Sequence, residues 1–287
     1  MGGEAARQGR DSFDEGGVCA VCGARASFSP IRPGFSLRET RCSVCGAARR
    51  SRDLARCLAT AFSRPTAASI SEILDLLRPL RILEAQASGP LHDALASLPS
   101  YLCSEFIPEA AAPGTTSRLG VRCEDLQALS FCDFSLDLVI TQDVLEHVAD
   151  PWRAFSEVWR VLAPGGRHVF TVPVHEGHAT TARADLRGEG VHHLLPPVHH
   201  GDPVRKGGSL VFTDFGDDLA RRLGAMGCPT RVAWHVPFYE PRDMPGIIDG
   251  DAYALYQEAR ARGEKALFLR YNSTVFITER PRRSKEI

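Results

Sequence analysis

Four cysteines near the start of the chain stand in two matching pairs. Cys19 and Cys22 form one Cys-x-x-Cys-Gly sequence, Cys42 and Cys45 form the second, and nineteen residues separate the pairs. Two thiolates two residues apart can bind one ion, and the glycine after each pair lets the backbone amides turn toward the sulfurs. The spacing predicts a structural Zn²⁺ site in which four sulfurs leave no open position for catalysis. The alternative is four cysteines with no shared role.

Arginines follow the second cysteine pair directly. Arg49, Arg50 and Arg52 would form a small basic patch, and a zinc ribbon with such a patch can bind nucleic acid or protein. The alternatives are a helix start in solvent and a contact with the next domain. The other five cysteines lie among apolar neighbours and are predicted to be small core residues.

A second group of chemically capable residues lies between positions 175 and 209, a stretch rich in glycine, proline and histidine without obvious secondary structure. A loop of this length is often a lid or a binding element. Three interpretations stay open: the histidines cover a substrate and His200 acts as general base, they bind a second metal ion, or they fill a polar surface loop. The histidines concerned are His175, His178, His192, His193, His199 and His200.

The elements that must position these residues alternate in character. Residues 51–78 have helical spacing, which Arg64-Pro65 breaks into two helices. From Arg81 onward, strand-like and helical segments alternate, which is typical of a parallel sheet covered by helices. A helix at about 215–226 would be capped by Thr213 or Asp214 and end at Gly227. The strand candidates are 81–85, 100–106, 136–141, 167–174, 231–236 and about 267–278.

The stretch 131–173 is the most informative part of the chain. Asp137 stands at the start of an apolar strand, Asp150 caps the next helix, and Pro151 fills its first position. Apolar residues at helical spacing give that helix a buried stripe. Pro164-Gly165-Gly166 then ends the helix before the next strand.

This block closely resembles the class I S-adenosylmethionine-dependent methyltransferases. Their central pattern stands here as Leu136-Asp137-Leu138-Val139, Val144-Leu145-Glu146-His147-Val148 and Leu162-Ala163-Pro164-Gly165-Gly166. The resemblance covers about residues 81–280 and implies an α/β, Rossmann-like sheet of seven strands with S-adenosylmethionine as cofactor. The cysteine ribbon with Arg49-x-x-Arg52 is similar to an extension of some bacterial members. The segment from His192 to Pro203 resembles one in bacterial small-molecule methyltransferases.

The resemblance implies roles for residues at the strand ends. Glu105, which ends the second strand, would hold the ribose hydroxyls of the cofactor, since a carboxylate can accept from both. Asp125, followed by Leu126, would accept from the adenine amino group after the third strand. The backbone after the fourth strand, at Gln142 and Asp143, would line the methionine end.

The first loop departs from the family pattern. Glu84 and Gly89 would contact the cofactor, but Gln86 and Ser88 stand where glycines are expected. The loop therefore has another shape, or cofactor binding is weakened or lost. His147 is the second candidate catalytic residue beside His200, with a packed, hydrogen-bonded histidine as the alternative.

These observations favour an enzyme that methylates an oxygen or nitrogen of a small molecule, of a sugar type or a natural product. The alternatives are a non-catalytic scaffold and a methyltransferase of RNA or protein guided by the ribbon. A net charge of −1 disfavours broad electrostatic binding of nucleic acid. No apolar run resembles a membrane helix or a signal peptide, so a cytoplasmic location is expected. The predicted parts are a tail 1–17, a ribbon 18–50, a helical linker 51–80, a methyltransferase domain 81–280 with a substrate loop 175–209, and a tail 281–287.

Overall fold

A seven-stranded sheet forms the centre of the protein. The computed structural model describes residues 17–29, 40–107, 112–175, 177–188, 190–202, 206–236 and 273–282. The sheet strands are β1 Ile82–Glu84, β2 Tyr101–Glu105, β3 Val121–Cys123, β4 Leu136–Gln142, β5 Leu162–Thr171, β6 Thr230–Val236 and β7 Ser273–Glu279. Their order is β6-β7-β5-β4-β1-β2-β3. Strand β7 runs antiparallel to both neighbours, and the other pairs are parallel. The predicted α/β, Rossmann-like sheet of seven strands is confirmed.

Helices cover both faces of this sheet. The central strand β4 is apolar throughout its middle because Leu138, Val139 and Ile140 are fully buried between two layers. Asp150 accepts a hydrogen bond from the Arg153 amide at 3.0 Å and Pro151 opens the helix, as predicted. The helices are α1 Arg49–Ala61, α2 Leu74–Leu77, α3 Pro90–Leu95, α4 Pro151–Val161 and α5 Leu219–Ala225, with 3-10 turns at Ile70–Ile73 and Leu145–His147.

The cysteine ribbon and α1 share one apolar core with a face of the sheet. Two short strand pairs build the ribbon, Gly17–Val18 with Arg25–Ala26 and Phe28–Ser29 with Arg41–Cys42. Leu54 and Leu58 of α1 are fully buried in the core that also contains Val275 and Ile277 of β7. Helix α1 therefore joins the ribbon to the sheet rather than crossing solvent.

Arg49, Arg50 and Arg52 were predicted to form a basic patch, and for Arg49 and Arg52 this prediction is wrong. Arg49 and Arg52 are 2% and 1% exposed. Arg49 donates to Asp53 at 2.9 Å, and Arg52 donates to the carbonyls of Thr40 and Ala47. A buried guanidinium needs such partners, and α1 brings them within reach.

The predicted loop 175–209 contains short strands, so the expectation of no secondary structure was wrong. We call residues 174–216 the hairpin region. The sequence hides these strands because they are two to four residues long and carry no regular apolar alternation. The strands pair as Ala184–Arg187 with Gly190–His193, His199–His200 with Ser209–Leu210, and Val174–His175 and Thr181–Ala182 on either side of Thr213–Gly216.

One predicted boundary also changes, and others lie partly outside the described residues. Thr213 and Asp214 lie in a strand and cap no helix, and α5 follows Asp218 instead. The last strand begins at Ser273, and positions 267–272 lie outside the described residues. The predicted tails lie outside the described residues except for Gly17, Pro281 and Arg282.

No helix among the described residues is long and apolar enough to cross a membrane.

Candidate functional site

The carboxyl ends of β1 and β4 lie side by side at the centre of the sheet, where the strand order reverses. In open α/β sheets this point is where ligands bind, since the loops diverge and leave a crevice. Glu84 ends β1 and Gln142 ends β4, so both lie at this edge. Glu105 ends β2, and Asp125 follows β3 by two residues. Three carboxylates therefore follow three neighbouring strands in a row.

Glu84 lies deeper than its predicted role requires. Its carboxylate is 1% exposed and accepts a hydrogen bond from the Tyr101 hydroxyl at 2.6 Å. Burial raises the pKa of Glu84 to about 7, and the Tyr101 hydrogen bond opposes this by lowering it. The Nδ1 atom of His92 lies 2.8 Å from the same hydroxyl. Glu84 is thus tied to β2, and its contact with a cofactor stays a prediction.

The first loop is held by its own polar groups. Gln86, in a position where the family has glycine, donates from Nε2 to the Ser88 carbonyl at 2.5 Å. Glu105 accepts from the Ala87 amide at 3.0 Å, so the carboxylate predicted to hold the ribose also holds this loop. Gly89 has φ +100°, a backbone conformation that favours glycine. The substituted loop therefore has a defined shape with Glu105 at its side.

Asp125 and Leu126 lie at the end of the row. Asp125 accepts from the Gln127 amide at 2.8 Å, which fixes the turn after β3. Leu126 is buried beneath that turn. The neighbouring Glu124, for which no role was predicted, is buried and accepts hydrogen bonds from Arg122 and Ser130. Glu124 is therefore structural, and Asp125 is the half-exposed carboxylate at this position.

Gln142 and Asp143 follow β4 in different ways. Gln142 is 8% exposed, and its buried Oε1 has no hydrogen-bond partner among the residues that the structure describes. Asp143 has φ +54°, accepts from the Thr171 hydroxyl at 2.9 Å and pairs with Arg50 of α1 at 3.0 Å. Gln142 therefore offers an acceptor to a ligand, whereas the Asp143 side chain fixes a sharp turn. Among the predicted roles of Arg50, contact with the next domain is confirmed.

The side chains of both candidate catalytic histidines lie beside Glu146, for which no functional role was predicted. Nε2 of His147 lies 3.7 Å from Glu146, and Nδ1 of His200 lies 3.8 Å from the same carboxylate oxygen. The two rings contact edge to face with centroids 5.0 Å apart. Glu146 is 1% exposed, and neither of its oxygens has a hydrogen-bond partner among the described residues. We call Glu146, His147 and His200 the His–Glu cluster.

The sequence contained one signal for this cluster. Glu146 directly precedes His147 in the chain. Because its other neighbours are apolar, it was interpreted only as part of the family's fold pattern. Backbone contacts bring His200 there: the Phe212 amide donates to the Glu146 carbonyl at 2.7 Å, and Leu210 pairs with His199 in the neighbouring strand. Two other histidines of the hairpin region lie elsewhere, His192 against Asp185 at 3.1 Å and His175 beside Asp214 at 3.5 Å.

The four predicted zinc ligands lie together in the ribbon. Sγ of Cys19 lies 3.8 Å from Sγ of Cys45, and Sγ of Cys22 lies 4.0 Å from Sγ of Cys42. A tetrahedral Zn²⁺ ion with bonds of about 2.3 Å separates its sulfurs by about 3.8 Å. All four cysteines are free thiols, and the amide of Val44 points at Cys42 Sγ at 3.4 Å. The donor set therefore fits Zn²⁺.

A match to a known protein family covers the central part of the seven-stranded sheet. Residues 97–170 match the family described as a methyltransferase domain, and the match begins after the first loop. An uncharacterized methyltransferase of Mycolicibacterium gilvum is 35% identical over 144 residues, 48% of this chain and 55% of that protein. One of Mycobacterium tuberculosis is 41% identical over 140 residues, 46% of this chain and 53% of that protein. The chain spans about half the length of these curated relatives.

Among solved structures, an S-adenosylmethionine-dependent methyltransferase from Mesorhizobium loti aligns over 73% of this chain and 96% of its own, with a TM-score of 0.37 and 18% identity. The match to the methyltransferase domain runs from just before β2 to β5, so it covers the centre of the seven-stranded sheet. Over this stretch the chain is similar to methyltransferases.

Proposed function

We propose that this protein transfers the methyl group of S-adenosylmethionine to an oxygen or nitrogen of a small molecule. The observation that carries the proposal is the row of Glu84, Glu105 and Asp125 after three neighbouring strands, which starts at the point where the strand order reverses, beside the Gln142 oxygen that has no hydrogen-bond partner among the described residues. Acceptor groups in a row match a ligand that presents ribose hydroxyls and amino groups.

The cofactor, when bound, supplies an electrophilic methyl group on a sulfonium. In this proposal Glu105 holds the ribose hydroxyls, while Asp125 and the turn at Leu126 hold the adenine. The turn at Gln142 and Asp143 lines the methionine end. Glu84 and Gly89 stand at the two ends of the first loop and fix its conformation. The Glu105 carboxylate has several lone-pair directions, so its bond to the Ala87 amide leaves it able to accept from a ligand.

In this proposal the acceptor molecule binds at the His–Glu cluster. The hairpin region lies over the end of β4 there, held by the bonds of Phe212 to Glu146 and of Leu210 to His147. His200 is 41% exposed at its side chain, so it can contact both the buried Glu146 and a ligand from solvent. The chain's contribution is to orient the acceptor in line with the methyl group and to exclude water.

The zinc ribbon has a structural part in this proposal. Four sulfurs leave a zinc ion without an open position, and the ribbon core continues into α1 and the sheet. Arg49 and Arg52 are buried, so they offer no contact to a nucleic acid. A small molecule is therefore the preferred substrate class over RNA.

Isothermal titration calorimetry with S-adenosylmethionine tests the function. We expect the zinc-loaded chain to bind, and Glu105→Ala to weaken binding by about tenfold to a hundredfold, because hydrogen bonds to a charged acceptor contribute about 1.5–3 kcal/mol. Glu72→Ala is the control, since Glu72 is an exposed carboxylate in the turn Ile70–Ile73. No binding by well-folded protein would favour the non-catalytic scaffold. Unchanged affinity in Glu105→Ala would show that the ribose site is misplaced.

A further inference from the structure

The His–Glu cluster is built in a way that hydrogen bonds alone do not explain. Its two nitrogen–oxygen distances, 3.7 and 3.8 Å, are longer than a hydrogen bond of about 2.7–3.2 Å. Yet the Glu146 carboxylate is almost completely buried, and neither oxygen has a hydrogen-bond partner among the described residues. A buried carboxylate without a hydrogen-bond partner is strongly unfavourable, so this arrangement favours the binding of a positive group.

The hydrogen bond of His147 indicates what kind of group the cluster would bind. Its Nδ1 atom lies 2.8 Å from the Leu210 carbonyl, which can only accept. Nδ1 therefore carries a proton, and in the neutral ring the lone pair is on Nε2, the atom that faces Glu146. A lone pair and a carboxylate repel each other unless a cation lies between them. A backbone carbonyl on the other ring nitrogen is also the usual support of a metal-bound histidine.

The separations fit a shared ion. One ligand atom from each of Glu146, His147 and His200 can be chosen so that all three lie within 4.8 Å of one another. Ligands of a tetrahedral ion with bonds of about 2.0–2.1 Å lie about 3.3 Å apart. The two nitrogen–oxygen distances, 3.7 and 3.8 Å, would therefore shorten by about half an ångström. Two imidazoles and one carboxylate suit a divalent transition-metal ion, and they leave at least one position open.

We propose that Glu146, His147 and His200 bind one divalent transition-metal ion of the Zn²⁺ type, with an open position toward solvent. The site is separate from the cysteine ribbon in ligands and in position. Its open position would take an oxygen ligand, such as a hydroxyl or carboxylate of the acceptor molecule. This last step rests on the proposed methyl transfer, whereas the binding of the ion does not.

The ion changes how the acceptor would be activated. An acceptor hydroxyl bound to it would have a lowered pKa and would release its proton to water. The oxygen electron pair would form the new O–C bond as the S–C bond breaks, and the S–C bonding pair would remain on the sulfur of the cofactor. His200 would thus act as a ligand rather than as the general base that the sequence suggested.

Metal stoichiometry of the full chain tests the site. After dialysis against dilute Zn²⁺, we expect two equivalents in the wild type and one in both His200→Ala and Glu146→Gln. His199→Ala is the matched control, because His199 is the adjacent exposed histidine of the same strand and is expected to keep two. With Co²⁺, the sulfur-to-metal absorption should be equal in all four proteins, which shows that the cysteine site is intact.

One equivalent in the wild type, or two in His200→Ala, would overturn the proposal. The His200 side chain is 41% exposed, so its loss leaves the fold intact and the second variant does not depend on the buried Glu146. Titration with S-adenosylmethionine separates this result from the proposed function. Two equivalents without cofactor binding would reject methyl transfer and keep the metal site, and one equivalent with binding would do the reverse.

Discussion

The cysteine ribbon and the His–Glu cluster gather metal-ligand residues in two different ways. In the ribbon each pair of ligands lies within four residues, and Gly23 and Gly46, both at φ +75°, make the turns. In the cluster His147 and His200 are far apart in the chain, and strand pairing between His199–His200 and Ser209–Leu210 brings them together. The first site depends on local turns, and the second depends on the register of a long connection.

The two sites also differ in what they leave open. Four sulfurs enclose the ion position of the ribbon, and Cys19 and Cys42 are almost completely buried there. The His–Glu cluster supplies three ligands, one of them on an exposed strand. A closed set of local ligands is typical of a structural site, whereas an open set on a surface connection is typical of a functional one.

The largest expected effect is the loss of a ribbon ligand. Cys42→Ser should remove the zinc and lower the free energy of unfolding by several kcal/mol, because the ribbon, α1 and β7 share one core. Zinc content and thermal unfolding measure both effects. Cys132→Ser is the control, since Cys132 lies outside the ribbon and is exposed, so its predicted place in the core was wrong. A Cys42→Ser protein with full zinc and an unchanged midpoint would show that the ribbon is not a metal site.

Sequence reasoning succeeded where a feature is local or periodic. The apolar run of β4, the Asp150 cap and the two cysteine pairs each lie within a few residues, so their outcome follows from propensity and spacing. Sequence reasoning failed in the hairpin region, because its short strands carry no regular alternation of apolar and polar residues. It also missed Glu146, because burial beside His200 depends on a contact that no single segment encodes.

A second buried carboxylate, Glu84, provides a comparison for Glu146. Glu84 is as buried as Glu146 but has the Tyr101 hydroxyl as donor, and burial raises its pKa from 4.5 to about 7. The folded state therefore keeps the proton to a higher pH than the unfolded chain. This contribution to stability is complete below pH 4.5 and is lost as the pH rises through about 7.

Glu84→Gln removes this dependence, since a glutamine can accept from Tyr101 without ionising. Between pH 5.5 and 8, the variant should gain on the order of 2 kcal/mol relative to the wild type. Urea unfolding at the two pH values measures the gap, and ionisation of the cysteines cancels because both proteins share it. Glu72→Gln, at an exposed position, should show no such trend. A gap that stays constant with pH would mean that Glu84 ionises normally.

Loss of a ligand from the His–Glu cluster should change stability least. A small change is what distinguishes an open, functional site from the structural site in the ribbon. Without added metal, His200→Ala should change the free energy of unfolding by less than about 0.5 kcal/mol, because the side chain is 41% exposed and leaves no cavity. Zn²⁺ beyond the first equivalent should then raise the unfolding midpoint of the wild type but not of His200→Ala, since ligand binding stabilises only a folded state that has the site. Calorimetric scans of both proteins with and without the second equivalent measure this, with His199→Ala expected to follow the wild type. If His200→Ala instead lost several kcal/mol without metal, as a ribbon variant should, the cluster would be a structural element and the contrast between the two sites would disappear.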